Sequence, residues 1–230
     1  MLMKHLDELL RDCVTHHHRL CPRQVLGARV GMLAASLLAL DLPQTDKRLL
    51  AITETDGCFV DGVSAATGCY VGRRTLRVED FGKVAAVFVD TRSQRAVRIA
   101  PRLDVRELAR RFAPEARSRW EAQLLGYQRM PDEDLLDSRW VTMRINIAGL
   151  IGHAGVRVNC EACGEEIINQ REVTRDARIL CRACAGQAYY VETRLAGVTT
   201  LTLPWTSKLV QSYEGFPTPV EHWEPTWNDN

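Results

Sequence analysis

Two Cys-x-x-Cys pairs, Cys160/Cys163 and Cys181/Cys184, are separated by a 17-residue insert. A Cys-x-x-Cys turn presents two thiolates to one cation, and two such knuckles complete a tetrahedral sulfur site for zinc. Gly164 follows the first pair, where a tight knuckle favours a positive φ that glycine adopts at little cost. Disulfides or a redox pair are the competing uses of these thiols, and two pairs at this spacing favour zinc over both. Four thiolates leave no coordination position for a substrate, so this zinc is expected to shape the protein rather than to do its chemistry.

Cys13, Cys21, Cys58 and Cys69 lie outside that module, and a run of three histidines, His16, His17 and His18, precedes Cys21. Each of these cysteines alone fits a small buried apolar residue. Taken with the histidines they fit a mixed His/Cys metal or thiolate site as well. Cys21 stands before Pro22 at the start of an expected helix, where the dipole favours a thiolate. Cys58 and Cys69 flank a segment of small and polar residues, DGCFVDGVSAATGC.

Elements that would carry these residues follow from the hydrophobic spacing. Residues 4–18 read as a helix, which would put Cys13 and His17 on one face at i and i+4. Pro22 opens a second helix, QVLGARVGMLAASLLAL, whose Gly27, Gly31, Ala34 and Ala35 would let another element approach closely. Leu49 to Thr53 reads as a buried strand, Glu54 to Gly57 as its polar exit, and Val60 to Thr67 as a short helix ended by Gly68 and Cys69. Residues 76–78, 84–90 and 96–99 are expected as an antiparallel meander. Residues 104–128 fit a long Arg-rich helix with an interruption at Pro114. Residues 130–139 read as a linker, and the tail with Trp205, Trp223 and Trp227 as extended and packed on something, a second subunit included.

The resulting expectation is an α+β fold, helices on a small, mostly antiparallel sheet, followed by a small C-terminal zinc-finger domain. The boundaries are a core over residues 1–130, a linker over 131–155 and a finger with its tail over 156–230. A net charge of +1 over 230 residues argues against a global field for nucleic acid or membrane. Arg92 to Arg119 holds nine arginines against three acids, but only Phe112 and Trp120 as aromatics, which reads as a solvated face more than a base-stacking surface. The longest apolar stretch, Val30 to Leu40, is too short to span a bilayer. The first residues carry acids early and have no apolar h-region, unlike a signal peptide. Eight cysteines without that signal suggest a reducing compartment, the cytoplasm.

HHHRLCPRQVLGARVG, ETDGCFVDGVSAATGCYVGRRTL and VEDFGKVAAVFVD resemble the family named for the E-type subunit of formylmethanofuran dehydrogenase. That family shows a histidine-rich approach to Cys-Pro, then Glu-x-x-x-Cys-x-x-Asp, Thr-Gly-Cys and Asp-x-Gly-Lys. The matching residues are Cys21-Pro22, Glu54/Cys58/Asp61, Thr67-Gly68-Cys69 and Asp80/Gly82/Lys83. The resemblance spans roughly residues 14–100, and members often carry a C-terminal treble-clef-like finger. It implies an α+β core, often dimeric, with a second site for a transition metal, zinc or nickel. The ligands it implies are His17, Cys58 and Cys69, with Cys21 a neighbour or a fourth. Where the family has a histidine two residues before the Cys-Pro cysteine, this chain has Arg19, which cannot ligate a cation. Either His16 or His18 substitutes, or three protein ligands leave an open position, beside which Asp61 and Lys83 would act as base and anion holder.

The functional expectation is a zinc-binding protein accessory to a redox or metal-cofactor enzyme. A metal-dependent enzyme using the open core site is the alternative, and a regulatory module using the finger to bind nucleic acid or protein is a third. No nucleotide loop or iron–sulfur spacing is present to make the chain a dehydrogenase by itself.

Overall fold

The computed structural model of the chain describes residues 4–15, 19–44, 46–152 and 155–191. His16, His17 and His18, and the tail with its three tryptophans, lie outside the described residues. Contact density divides the chain at Gly186, and both the core and the finger belong to the unit before that point.

Helix α1, Leu6–Val14, buries Leu9, Leu10 and Cys13. Within the expected 4–18 it has Thr15 as its C-cap, and residues 16–18 lie outside the described residues. Helix α2, Pro22–Leu38, starts on proline, and Gln24 Oε1 accepts the Cys21 N–H at 2.8 Å to close its first turn. Val25, Ala28, Val30 and Ala34 have no exposed surface. A helix buried on nearly every side belongs in the centre of a fold. Its partner is α3, Cys58–Thr67, and the small residues set how close the two come. A Cβ on Gly27 would stand 2.1 Å from the Phe59 carbonyl oxygen, and one on Gly62 would stand 2.1 Å from that of Gln24. Gly31 faces Ala66 and Thr67 in the same way. Successive contacts advance along both helices together, so α2 and α3 run parallel and their N-termini lie side by side.

Strands β1 (Leu49–Thr53), β2 (Leu76–Val78), β3 (Ala86–Asp90) and β4 (Ala96–Pro101) form one sheet with a fifth strand, β5 (Leu136–Val141), in the order β2-β1-β3-β4-β5. The expected meander holds only for the β3–β4 hairpin. Strand β2 pairs in parallel with β1, which lies between β2 and β3. A parallel neighbour requires a crossover, and α3 supplies it.

The long Arg-rich helix is two, α4 (Val105–Phe112) and α5 (Arg119–Arg129), broken over the residues around Pro114. They pack closely at Gly126, where a Cβ would come within 2.5 Å of the Ala109 carbonyl oxygen. Arg29 of α2 ties down the end of α5, donating to the Tyr127 and Met130 carbonyls at 2.8 and 2.7 Å and to Asp132 at 2.7 Å. The segment expected as a linker is also structured: Asp132–Leu135 makes a single helical turn, α6, and β5 pairs along the length of β4. Leu135 and Leu136 are buried there, which a solvated linker would not allow.

Side chains alternate across the sheet. Leu49, Ala51, Phe88, Val97 and Ile99 face α2 and α3, whereas Leu50, Ile52, Val89 and Ala96 face helix α7, Ile147–Gly152. Burial on both faces explains why β1 is apolar from Leu49 to Ile52. After α7 come two hairpins, β6 (Arg157–Asn159) with β7 (Glu166–Ile168), and β8 (Val173–Arg175) with β9 (Arg178–Leu180).

Candidate metal centres

The first knuckle, Cys160–Cys163, joins β6 to β7, and the second, Cys181–Cys184, follows β9. Cys160 and Leu180 are buried with Ile167 between the two hairpins, a core just large enough to fix where the knuckles meet. Gly164 adopts φ 79°, and its N–H donates to the Cys160 carbonyl at 2.8 Å, as the knuckle turn requires. All four sulfurs fall within 4.8 Å of one another, with Cys163 and Cys181 Sγ 4.0 Å apart. Zinc–sulfur bonds of about 2.3 Å in a tetrahedron put sulfurs roughly 3.8 Å apart, so the donor set fits that ion.

Hydrogen bonding within the knuckles prepares the site. The Cys181 N–H donates to Cys160 Sγ at 3.2 Å, and the Cys184 N–H to Cys181 Sγ at 3.4 Å. Backbone N–H groups of Cys181 and Cys163 pull the Cys160 thiol down to about 6, so it ionises first. Shared protons with Cys181 and Cys163 push Cys184 up to about 12. Four neighbouring thiols cannot all ionise unless a dication is present, and zinc supplies that charge.

In the core, Cys58 is the first residue of α3, not a loop residue before it, and Cys21 caps α2. Because the two helices start side by side, these thiols meet. Burial pushes the Cys58 thiol up, followed by its contact with Cys21 and the charge of Asp61. Cys13, at the end of α1, feels Asp61 and Cys21 as well, and its burial pushes it to about 12. Cys13, Cys21, Cys58 and Asp61 therefore form one neighbourhood, the start of the helix pair.

Cys69 is not part of it. Helix α3 has 10 residues, and Cys69 follows its far end; at about 1.5 Å per residue this places Cys69 roughly 15 Å from Cys58. Its sulfur is buried, 3.5 Å from the Leu49 carbonyl oxygen, and its N–H donates to Thr67 Oγ1 at 3.1 Å. The Thr-Gly-Cys motif is a helix end: Gly68 takes φ 72°, and a Cβ there would meet the Gln44 carbonyl oxygen at 2.5 Å. Cys58 and Cys69 thus do not join on one cation, and His17 lies outside the described residues. Among those residues the finger cysteines are the one group of three or more candidate ligands drawn together.

Other positions of the motifs have structural partners. Glu54 makes two 2.6 Å bonds with Arg98 on β4, in a setting where both are mostly buried. Its carbonyl oxygen accepts the N–H groups of Phe81 and Lys83, and Asp80 Oδ1 accepts that of Gly82. Glu54 and the Asp80–Lys83 turn therefore close the edge of the sheet. Arg98 went unrecognised in the sequence, though a charge inside the apolar strand AVRIAP was its signal. Beside Cys21 and Cys58 opens a cleft of about 750 Å³, lined in part by Arg23, Arg106, Glu107, Trp120 and Tyr127.

An α+β core followed by a four-cysteine finger defines a zinc protein of two modules. Residues 16–137 match the family described as "FmdE, Molybdenum formylmethanofuran dehydrogenase operon", and the chain belongs to that family. Residues 153–190 match the prokaryotic dksA/traR C4-type zinc finger. The crystal structure of a tungsten formylmethanofuran dehydrogenase FmdE-like protein from Syntrophus aciditrophicus shares the fold, with a TM-score of 0.53 at 24% identity over 81% of this chain and 95% of that one. A probable S-adenosyl-L-methionine-binding protein of Archaeoglobus fulgidus is 28% identical over 208 residues, 81% of this chain. The chain spans about half, 55%, of that relative's length. No helix among the described residues is long and apolar enough to cross a membrane.

Proposed function

We propose that this chain is a metal-handling accessory protein, in which the finger zinc is structural and a second cation binds at the start of the α2–α3 pair. The observation that carries this reading is the meeting of Cys21 and Cys58 at two adjacent helix N-termini, where a bound cation would offset the burial that keeps the Cys58 thiol protonated. The His16–His18 run shortly precedes Cys21 in sequence, with Arg19 and Leu20 between, and supplies an imidazole ligand. The ligand set is then Cys21, Cys58 and one of those histidines, with Asp61 beside them, and Cys69 takes a packing role. Zinc or nickel suits such sulfur and nitrogen donors. None of the eight cysteines is in a disulfide, which fits a reducing compartment such as the cytoplasm. As a homodimer or docked on an oxidoreductase, the protein would deliver or sense the metal of that enzyme.

Metal analysis of the purified chain and three variants tests this. Cys21→Ser and Cys58→Ser each lower bound metal from two equivalents to one, and Cys69→Ser does not. Equal stoichiometry in all four proteins, set by the finger alone, defeats the reading.

The cleft beside the same thiols favours a second reading, an enzyme or carrier whose small-molecule ligand sits there. The name of the Archaeoglobus relative suggests S-adenosyl-L-methionine, and Trp120, Tyr127 and Glu107 offer aromatic and anionic groups to its sulfonium. Equilibrium dialysis with that compound decides it: saturable binding lost in Glu107→Gln supports it, and no binding removes it.

A further inference from the structure

A second cleft, of about 370 Å³, opens where the core meets the finger. Arg74 enters it from the turn before β2, Arg77 from β2 itself, Arg171 from the turn before β8, and Arg182 from inside the second zinc knuckle. No aspartate or glutamate among the described residues lines it; the other polar walls are amides, Asn146 and Gln170 among them. Four guanidinium groups facing one another without an acid repel, and the core spends a backbone group on holding two of them. The Leu150 carbonyl oxygen, near the end of α7, accepts from Arg74 Nη2 at 3.3 Å and from Arg77 Nη2 at 3.2 Å. That single oxygen leaves Arg74 Nε and Nη1 and Arg77 Nε buried without a partner. Burial, then Arg171 and Arg74, lowers the Arg77 pKa, and only Glu79 opposes them before Arg182 adds to the lowering. Arg74 is further held at φ 63°, a backbone conformation rarely adopted by a side-chain-bearing residue, which aims it from the turn into β2.

Buried guanidinium donors call for a charged acceptor, and planar forks of this kind match the oxygens of phosphate in pairs. The volume lies within the range of small-molecule sites and exceeds a single phosphate group. We infer that this cleft binds a phosphate-bearing small molecule, with Arg74 and Arg77 holding the phosphate from the core, Arg171 and Arg182 closing on it from the finger, and the amides contacting the remainder. Because Arg182 lies between Cys181 and Cys184, the finger zinc positions one of the four contacts, and ligand binding joins finger to core. The site is independent of Cys21 and Cys58.

Calorimetric titration of the full zinc-loaded chain with pyrophosphate and with ADP, at low and moderate salt, tests this. One saturable site is expected for at least one probe, weakened tenfold or more by Arg182→Gln and by Arg171→Gln. Both residues are exposed, so the variants keep their zinc and melting temperature, and binding survives unchanged in Arg23→Gln of the other cleft. Tighter binding of ADP identifies an organic phosphate, and equal binding an inorganic one. Arg74→Gln/Arg77→Gln abolishes binding; should that variant fail to fold, the two exposed positions still decide. No saturable binding of either probe, or affinity unmoved in both Arg171→Gln and Arg182→Gln, overturns the inference.

Discussion

The finger and the core use equal numbers of cysteines to different ends. In the finger, two local turns bring four sulfurs within 4.8 Å of one another, with Cys163 and Cys184 exposed around the buried Cys160. In the core, Cys58 and Cys69 are 11 residues apart in sequence but sit at opposite ends of α3, and Cys58 meets Cys21 from another helix instead. The finger has a core of three buried residues, Cys160, Ile167 and Leu180. Its order therefore depends on metal. The core is held by packing between α2, α3 and both sheet faces, so its cysteines are passengers of a fold that stands without them. A short sequence spacing specifies a site where the chain itself is the ligand scaffold, and fails where a helix intervenes.

Removing the metal should expose that contrast most strongly. In Cys163→Ser, or with a chelator in excess, the finger loses a zinc whose binding is its folding, a contribution of about 10 kcal/mol or more in small zinc peptides. Limited proteolysis should then cut between residues 155 and 187 while residues 20–141 survive intact. Survival of the finger without zinc would break the comparison.

A smaller effect, confined to the other module, is expected from Gly62→Val. The Cβ alone would stand 2.1 Å from the Gln24 carbonyl oxygen, so α2 and α3 must separate. Overpacking of this kind costs about 3 kcal/mol, a drop of roughly 6–12 °C in Tm for a chain of this size. Zinc content at the finger should not change, and a loss of finger zinc would show that the two modules are not energetically separate.

Alkali and acid should sort the modules with the smallest effect. Cys160 is pulled from 9.0 to about 6 in the folded finger, so its thiolate stabilises the fold above pH 9 and that contribution is lost as pH falls toward 6. Acid protons compete with zinc in the same direction. Cys13 is raised from 9.0 to about 12 by burial, so its contribution is present below pH 9 and lost as pH rises toward 12. Zinc release measured against pH should run acidward, and the core melting temperature should fall between pH 9 and 11, less so in Cys13→Ala. A core indifferent to alkali would show that Cys13 ionises without cost.

Local features were legible in the sequence because their physics is local. The zinc knuckles, the start of α2 at Pro22, the small residues Gly27 and Gly31, the Gly68 helix end and the break at Pro114 all follow from a few adjacent residues. So did the α+β class and the family, since its motifs occur in order over a third of the chain. Partners distant in sequence were not. That β2 adds in parallel beside β1, that β5 completes the sheet from a stretch of polar residues, and that Glu54 finds Arg98 depend on which strands become neighbours. Likewise, neither Arg74 and Arg77 nor Arg171 and Arg182 form a motif, and only the folding of finger against core brings them to one cleft. Composition and spacing determined that this protein holds zinc between four thiolates, because those ligands lie within one short stretch of chain. The tertiary structure decided which of the remaining cysteines keep company, because a ten-residue helix separates Cys58 from Cys69 and the parallel packing of α2 with α3 joins Cys58 to Cys21.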